Sequence, residues 1–586
     1  MHYAFQQISE FLKLLQQRER QFAPPDIDSG DRLPTLIFAN AMLRNAIQRQ
    51  REWPLPLQLA VIGPTQSGKS SVVNLLLGKP LAEASPLAGY TRFAHGFANR
   101  EMTPDWKRCL QMVMPGWEQV EAGSQGEGAL YSLTRTSSDS SFTELSVIVW
   151  DTADFDSVGS RKYRDTVPEI CALADLLLLV VSREKYADRS VWRLLRLIAP
   201  LGIPLMICVN KTEPGDEGAL IAALDKRLQA ESIAPLAIQT LPYLQRAAET
   251  LADSAAARTL RARLSHFLGV GAPTESRAPQ RLVEYLNDHW SQWTGPVRRE
   301  QLASNHWEEA VVVGIAQALA GYQRECQEKP HYSYALQRAV LGLLELLEIP
   351  GIAAALTKAR SVLTWPARRL QAFFQKRLTD KGAGGQDQEA IVLREAVAHL
   401  LIGLQRRVSE ARVAEGETTH SWWRELSQLL NQQSAHIKDA AEQAVTDYQA
   451  VFQKEIEEAS QRLYLHLQQH PRTLYGLRAA RATTDAAAIV LAVKTGGLGI
   501  NDLILTPAML AVTSLLAEGA VGGYMKQVEA ELKERQVQLL QQLLFQQVLT
   551  ERLLHLPRTM PADHCYAISA DLMEQAEQSL RELVRS

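Results

Sequence analysis

Cysteine is scarce, net charge is nearly zero and long hydrophobic runs are missing, and each shortage excludes a class of protein. The 586 residues hold five cysteines, Cys109, Cys171, Cys208, Cys326 and Cys565. They are odd in number, far apart and never in a Cys-x-x-Cys pair, which supports neither a disulfide framework nor a zinc site and fits a reducing compartment. The formal net charge of −3, with a pI near 6.5, provides no global field for a polyanion, so nucleic acid is not an expected partner. No run of 18 or more apolar residues occurs, which argues against a conventional transmembrane helix. The opening residues, MHYAFQQISEFLKLL, lack the basic start, apolar core and small-residue cleavage site of a secretory leader. The expected location is the cytoplasm, with peripheral attachment at the inner face of the cell membrane under one reading given below.

A hydrophobic share of 46% and a charged share of 22% are ordinary for a globular protein, and a chain this long divides into two to four domains. Residues 1–56 read as helix, loop, helix: Phe5, Ile8, Phe11, Leu12 and Leu15 recur at helical spacing, Pro24 to Gly30 interrupts, and Leu36 to Gln50 resumes. From residue 57 the texture changes to short apolar runs: LQLAVIG (57–63), LSVIVWD (145–151), ADLLLLVVS (174–182), LMICVN (205–210) and PLAIQT (235–240). Helix-length stretches separate them, the pattern of buried parallel strands in a doubly wound sheet. Beyond about 270 strand signals stop and helical patterns continue. The expected organisation is an α/β P-loop domain over 57–270, with helices of 1–56 and 271–586 joining in one large all-α bundle or stalk. In that arrangement the amphipathic run Lys526 to Leu556 packs against the N-terminal helices.

Gly63, Pro64, Thr65, Gln66, Ser67, Gly68, Lys69 and Ser70 match G-x-x-x-x-G-K-[ST] at every fixed position. The motif directly follows one apolar strand and precedes a helical run, SVVNLLLG (71–78), the context that gives it meaning. Glycines let the backbone wrap a phosphate with its N–H groups inward, at a helix N-terminus that favours anions. Lys69 is expected on the β- and γ-phosphates as a catalytic residue, Ser71 beside the phosphates, and Ser70 on Mg²⁺. A second carboxylate should emerge from a strand to help hold that ion, and Asp151 stands at such an end.

These residues resemble the translation-factor-related GTPases, especially their Era-like and dynamin-like branches. In that family a switch threonine, Asp-x-x-Gly and Asn-Lys-x-Asp follow the P-loop. The resemblance implies Thr91 as the switch threonine, a metal and catalytic residue. It likewise implies Asp151-Thr152-Ala153-Asp154 as the second motif and Asn210-Lys211-Thr212-Glu213 as the base-reading tetrad. The implied ligands are GTP or GDP with Mg²⁺. Asp154 replaces a glycine whose N–H meets the γ-phosphate, and it brings a carboxylate toward phosphate oxygens, which is unfavourable unless it is turned away or protonated. Phe155 stands where some members carry a water-orienting glutamine, so slow hydrolysis is expected. Arg92 could act in cis, or be a solvated loop residue. Glu213 keeps the family's carboxylate but reaches one methylene further, leaving GTP favoured over ATP. Thr240-Leu241-Pro242 is the one candidate for a fifth motif. The 59 residues between Thr91 and Asp151 suggest an inserted hairpin or lid.

Two further stretches carry chemistry. Ile352 to Lys381 interleaves Lys358, Arg360, Arg368, Arg369, Lys376, Arg377 and Lys381 with Trp365, Phe373 and Phe374, and Asp380 is its only acid. It reads either as a solvated basic face or as a helix on an anionic membrane surface. Residues 484–524 form an apolar hairpin with a glycine-rich tip. Its run Leu503 to Ala517 is too short for the roughly 20 residues that span a bilayer, and it suits a buried core or a shallow membrane insertion. One expected function is a dynamin-like, nucleotide-switched GTPase that meets an anionic membrane and dimerises with nucleotide. The other is a soluble Era-like regulatory GTPase acting on a protein or ribosomal partner.

Overall fold

The structure, a computed structural model, describes residues 2–22, 32–50, 55–83, 93–121, 124, 129–136, 143–155, 166–213, 215–242, 254–269, 278–326, 334–348, 386–414, 420–471, 521–561 and 565–585. Thr91 and Arg92, the stretch 352–381 and residues 484–520 of the apolar hairpin lie outside them. The described chain separates into two compact units. The first comprises residues 1–298 and 565–586, the second 299–564.

The first unit is built on an eight-stranded sheet. In chain order the strands are β1 (Leu57–Ile62), β2 (Ala94–Ala98), β3 (Glu118–Gln119), β4 (Leu130–Arg135), β5 (Val147–Asp151), β6 (Leu176–Ser182), β7 (Leu205–Thr212) and β8 (Ala237–Pro242). Their spatial order is β3-β4-β2-β5-β1-β6-β7-β8. Every pairing is parallel except β2 with β5. The five apolar runs become β1, β5, β6, β7 and β8. Continuous apolarity reflects burial on both faces. In β6, Leu176, Leu178 and Val180 enter one core while Leu177, Leu179 and Val181 enter the other, as the two-residue period of a strand requires.

One core is covered by α3 (Lys69–Leu77) and α8 (Ala255–Gly269). The opposite core takes residues from α1 (His2–Phe22), α2 (Arg32–Arg49), α4 (Pro104–Val113), α5 (Thr166–Leu173), α6 (Arg189–Ile198), α7 (Glu217–Ala230), the start of α9 (Ala278–Cys326) and the C-terminal α14 (Ala570–Arg585). Residues 1–56 belong to the first unit and residues 526–556 to the second. Phe5, Ile8, Phe11 and Leu12 are buried in the same core as Ile148 and Trp150 of the sheet, and Asn45 Nδ2 donates to the carbonyl of Ala172 in α5 at 2.8 Å. The two chain ends do meet here: Tyr566 donates to Glu19 at 2.9 Å, and Arg32 pairs with the same carboxylate. The first unit extends past residue 270, taking α9 through Arg298.

Among its described residues the inserted stretch is not a hairpin. Chain direction is restored through α4, between β2 and β3, and β4 lies parallel to both. A helix N-capped by Thr103, with Pro104 at its first position, makes the crossover that parallel pairing needs.

The second unit is helical throughout its described residues. It holds the rest of α9, then α10 (Tyr334–Glu348), α11 (Gln386–Ala414), α12 (His420–Gln468) and α13 (Gly522–Leu540). The last continues through a π-helical stretch (Gln541–Thr550) to Glu551–His555. Leu393, Val397, Leu400, Leu404 and Val408 form the buried stripe of α11, spaced as one helix face demands. The amphipathic run after 526 packs against α12, with Arg535 to Glu455 at 2.8 Å and Arg462 to Glu531 at 2.9 Å on its margin. At the centre, one oxygen of Glu389 accepts from Tyr322 at 2.7 Å, Tyr448 at 2.9 Å and Gln536 at 2.9 Å. Burial, and then the carboxylate, push the Tyr448 hydroxyl well above its ordinary range, which keeps it a donor.

Glu389→Ala would strand three donors, so the full-length protein should lose about 2–4 kcal/mol from its helical unit. Far-UV circular dichroism in urea reads this as a lowered midpoint. Glu389→Gln keeps a carbonyl acceptor and should lose less; an unchanged midpoint for the alanine variant would deny the node any weight.

Candidate functional site

The loop 63–68 leaves β1 at the C-terminal edge of the parallel strands, where ligands bind in sheets of this kind. Its path is fixed by glycine. A Cβ on Gly63 would stand 2.2 Å from the carbonyl oxygen of Val180 in β6, and one on Gly68 would stand 2.3 Å from Asn210 Nδ2. Gly68 also has φ +92°, a left-handed backbone that side chains rarely adopt. Gln66 (φ 62°) and Lys211 (φ 59°) are non-glycine residues in the same region. The loop is tied down from β7: Asn210 Nδ2 donates to the Ser67 carbonyl at 3.0 Å, and Lys211 Nζ to the Gln66 carbonyl at 2.8 Å. Asn210 and Lys211 thus brace the loop from the end of β7.

Lys69 and Ser70 open α3, whose first turn presents backbone N–H groups to the loop's concavity. Lys69 is almost fully buried. Its ammonium donates to the carbonyls of Gly63 at 3.1 Å and Pro64 at 3.3 Å, and to Asp154 Oδ1. The carboxylate that stands at the family's glycine position is therefore turned onto the P-loop lysine. Pro64, Thr65 and Ser67 are buried, Gln66 and Ser71 exposed. The Ser67 hydroxyl is buried without a partner.

Ser70 donates to Asp151 Oδ2 at 2.7 Å, and Asp151 Oδ1 is buried with no partner. Burial pushes the Asp151 carboxyl up to about 6; the Ser70 hydrogen bond and the Lys69 charge pull it down, and the Asp154 charge pushes it up. A desolvated carboxylate with an orphaned oxygen beside a serine hydroxyl fits a hard divalent cation. Among the described residues no cluster of three or more acidic, His or Cys side chains surrounds it. Mg²⁺ takes few protein ligands and fills its shell with phosphate and water. Ser70 and Asp151 would hold it; Thr91 lies outside the described residues.

Glu213 is largely exposed, and its Oε2 lies 3.0 Å from Arg183 Nη1, which also reaches Asp216 at 2.8 Å. Arg183 was not singled out from the sequence, although it directly follows the β6 end whose Ser182 pairs with Asn210. His95 was also missed. It sits opposite Asp151 in the β2–β5 register, its Nδ1 2.8 Å from the Ser132 hydroxyl, with burial lowering its pKa. No sequence signal marked it, because β2 itself is short and weakly apolar. Leu241, in the weak fifth-motif candidate, offers its carbonyl to Thr212 at 3.0 Å. Cys171 and Cys208 are buried, with thiols pushed up to about 12, so neither is a nucleophile. A surface cleft of about 270 Å³ on the helical unit, lined by Ala444, Asp447, Leu543 and Arg552 among others, has no phosphate-binding loop.

Residues 58–211 match the sequence model of a family described as 50S ribosome-binding GTPase. No curated protein matches the chain significantly. Among solved structures, an Aquifex aeolicus Era variant bound to GDP and aluminium fluoride is 16% identical. It covers 37% of this chain and 57% of its own, with a TM-score of 0.24. Era bound to MgGDPNP and a piece of 16S ribosomal RNA gives the same figures, so the chain spans little more than half the length of the Era chains it matches. A protein of an oligomerised bacterial dynamin pair, described as sensing and tethering membranes, is 11% identical over 98% of this chain and 94% of its own, with a TM-score of 0.33.

A carboxyl that holds its proton more tightly folded than unfolded weakens the fold as pH rises, because the unfolded chain releases its proton first. For Asp151 that window runs from the ordinary 3.8 to about 6. Asp151→Asn should therefore stabilise the protein in EDTA above pH 6 by up to about 3 kcal/mol, with the gain fading as pH falls toward 4. Thermal melts between pH 4 and 8 check this; a variant less stable than the parent at pH 8 would contradict the burial account.

Proposed function

We infer, for a chain whose residues 58–211 are a P-loop GTPase domain, that it binds GTP and GDP with Mg²⁺ and hydrolyses GTP slowly. The observation that carries this is the convergence of five side chains. Lys69 reaches the Gly63 and Pro64 carbonyls of loop 63–68 and Ser70 reaches Asp151, while Asn210 and Lys211 hold the Ser67 and Gln66 carbonyls. In this reading the loop's N–H groups and Lys69 take the phosphates, and Asn210, Lys211 and Glu213 take the guanine edge. Bound Mg²⁺ would neutralise charge on the β- and γ-phosphates. Ser70 and Asp151 position it, and Thr91 joins them in the triphosphate state. Phe155 is partly buried against the core and offers no group to orient water, which supports slow turnover by the isolated chain. Self-association or a partner protein would supply what is missing.

The proposed role is dynamin-like: loss of the γ-phosphate moves the helical region, which acts at an anionic membrane surface. The basic, aromatic run 352–381 and the apolar run 484–524 support this through their composition. No described helix is long and apolar enough to cross a membrane, so contact would be peripheral. A second reading, a soluble regulator of a ribosomal or protein partner, has the family's description in its favour.

Purified protein should bind GTP more tightly than ATP in Mg²⁺, and Lys69→Ala should weaken GTP by about 100-fold or more. Equal affinity for the two nucleotides would show that Glu213 no longer reads guanine, and unchanged binding in the variant would refute the site. Co-sedimentation should capture the chain on vesicles containing phosphatidylserine and not on neutral ones. Failure in every nucleotide state, with capture by 50S particles instead, would replace the membrane reading with the ribosomal one.

A further inference from the structure

The Lys69–Asp154 pair has no place in the binding scheme above, yet it occupies the centre of the site. Both side chains are nearly withdrawn from water, at 4% and 10% exposure. With the carbonyls of Gly63 and Pro64, Asp154 completes the three acceptors that an ammonium can serve. A P-loop lysine ordinarily meets the β- and γ-phosphates. Here an anion from the chain itself already stands at that nitrogen.

The sheet order says which phosphate it stands in for. Asn210 and Lys211 mark the base end, on β7, two strands from β1 on one side. Asp154 follows β5, the neighbour of β1 on the other side, three residues past the Asp151 that faces Ser70. A nucleotide laid along loop 63–68 from β7 toward β5 brings its terminal phosphate to Asp154.

We propose that Asp154 is an internal surrogate for the γ-phosphate and determines which nucleotide state this site favours. The inference rests on the GTPase reading and deepens it. With a diphosphate bound, Lys69 reaches the β-phosphate and keeps Asp154 beside it. A triphosphate must take the carboxylate's place on the lysine, and the displaced carboxylate then faces the γ-phosphate oxygens as a like charge in a site sheltered from water. Asp154 thus sets the preference toward GDP. A family-type glycine at that position carries no charge to displace.

The test is the ratio of two dissociation constants, for GDP and for a non-hydrolysable GTP analogue. Both are measured in Mg²⁺ on full-length protein by displacement of a fluorescent GDP. Both bindings start from the same unliganded protein, so any destabilisation from leaving Lys69 unpaired cancels in the ratio. The parent protein should favour GDP by about tenfold or more, the scale of one unrelieved charge contact. Asp154→Asn, which keeps the shape, and Asp154→Gly should each shift the ratio toward the triphosphate by about tenfold. A parent that favours the triphosphate overturns the proposal, as does a shift in the variants below about threefold or in the opposite direction; the parent measurement decides even if a variant fails to fold. Binding of neither nucleotide by the parent would instead remove the GTPase reading, and this inference with it.

Discussion

The geometry of the nucleotide edge depends on how closely the backbone of residues 63–68 approaches strands β6 and β7. Gly63 lies so near the Val180 carbonyl, and Gly68 so near the Asn210 amide, that no side chain fits at either point. This approach lets Asn210 and Lys211 hold the loop through backbone carbonyls instead of through a ligand. The loop is consequently preformed, and its N–H groups are aimed before any phosphate arrives. Ordering has been met in folding, so binding need not supply it. The sheet beneath makes this possible: β1, β6 and β7 are buried on both faces and in register, which leaves the edge little freedom to relax.

Charge at this edge is arranged around one cation and two carboxylates. Lys69 lies between Asp151 and Asp154, and the three are almost wholly buried. Burying such groups singly would cost several kcal/mol each. Together they share the burden unequally. Asp154 takes the lysine directly, while Asp151 receives only a hydroxyl and keeps one oxygen unpartnered. Burial, offset only in part by the Ser70 hydroxyl and the Lys69 charge, pushes the Asp151 carboxyl up to about 6, and its unpartnered oxygen fits a divalent cation.

Much of this was legible in the sequence, for identifiable reasons. Strands buried on both faces read as unbroken apolar runs, so β1, β5, β6, β7 and β8 stood out. The P-loop stood out because its glycines answer a steric demand that no other residue meets. Strands β2, β3 and β4 did not, since AHGFA and LYSLTR are not unbroken apolar runs and β3 is two exposed residues; the parallel pairing of β2 with β4 depends on α4, which periodicity alone could not distinguish from a lid. Residues 1–56 were legible as helices but not in their destination. An amphipathic stripe such as Phe5, Ile8, Phe11 and Leu12 says that a face is buried, not against what. Arg183 and His95 were illegible for a related reason: each gains meaning only from a neighbour strand's register.

The two departures from the family pattern share a logic that the sequence could not display. Asp154 adds a carboxylate and Glu213 extends one, and in the fold each is met by a cation of the chain, Lys69 and Arg183 respectively. The two pairings are not equivalent. Arg183 and Glu213 are exposed, and water screens them, so their mutual attraction is worth little and leaves the Glu213 carboxylate available to a base. Lys69 and Asp154 are buried, where removing either partner strands the other. The Glu213 end of the site is therefore open to water, whereas the Lys69–Asp154 end is internally satisfied. A site built this way rests in a closed electrostatic state of its own, and under the proposed GTPase reading a nucleotide would act on it by substitution of one anion for another.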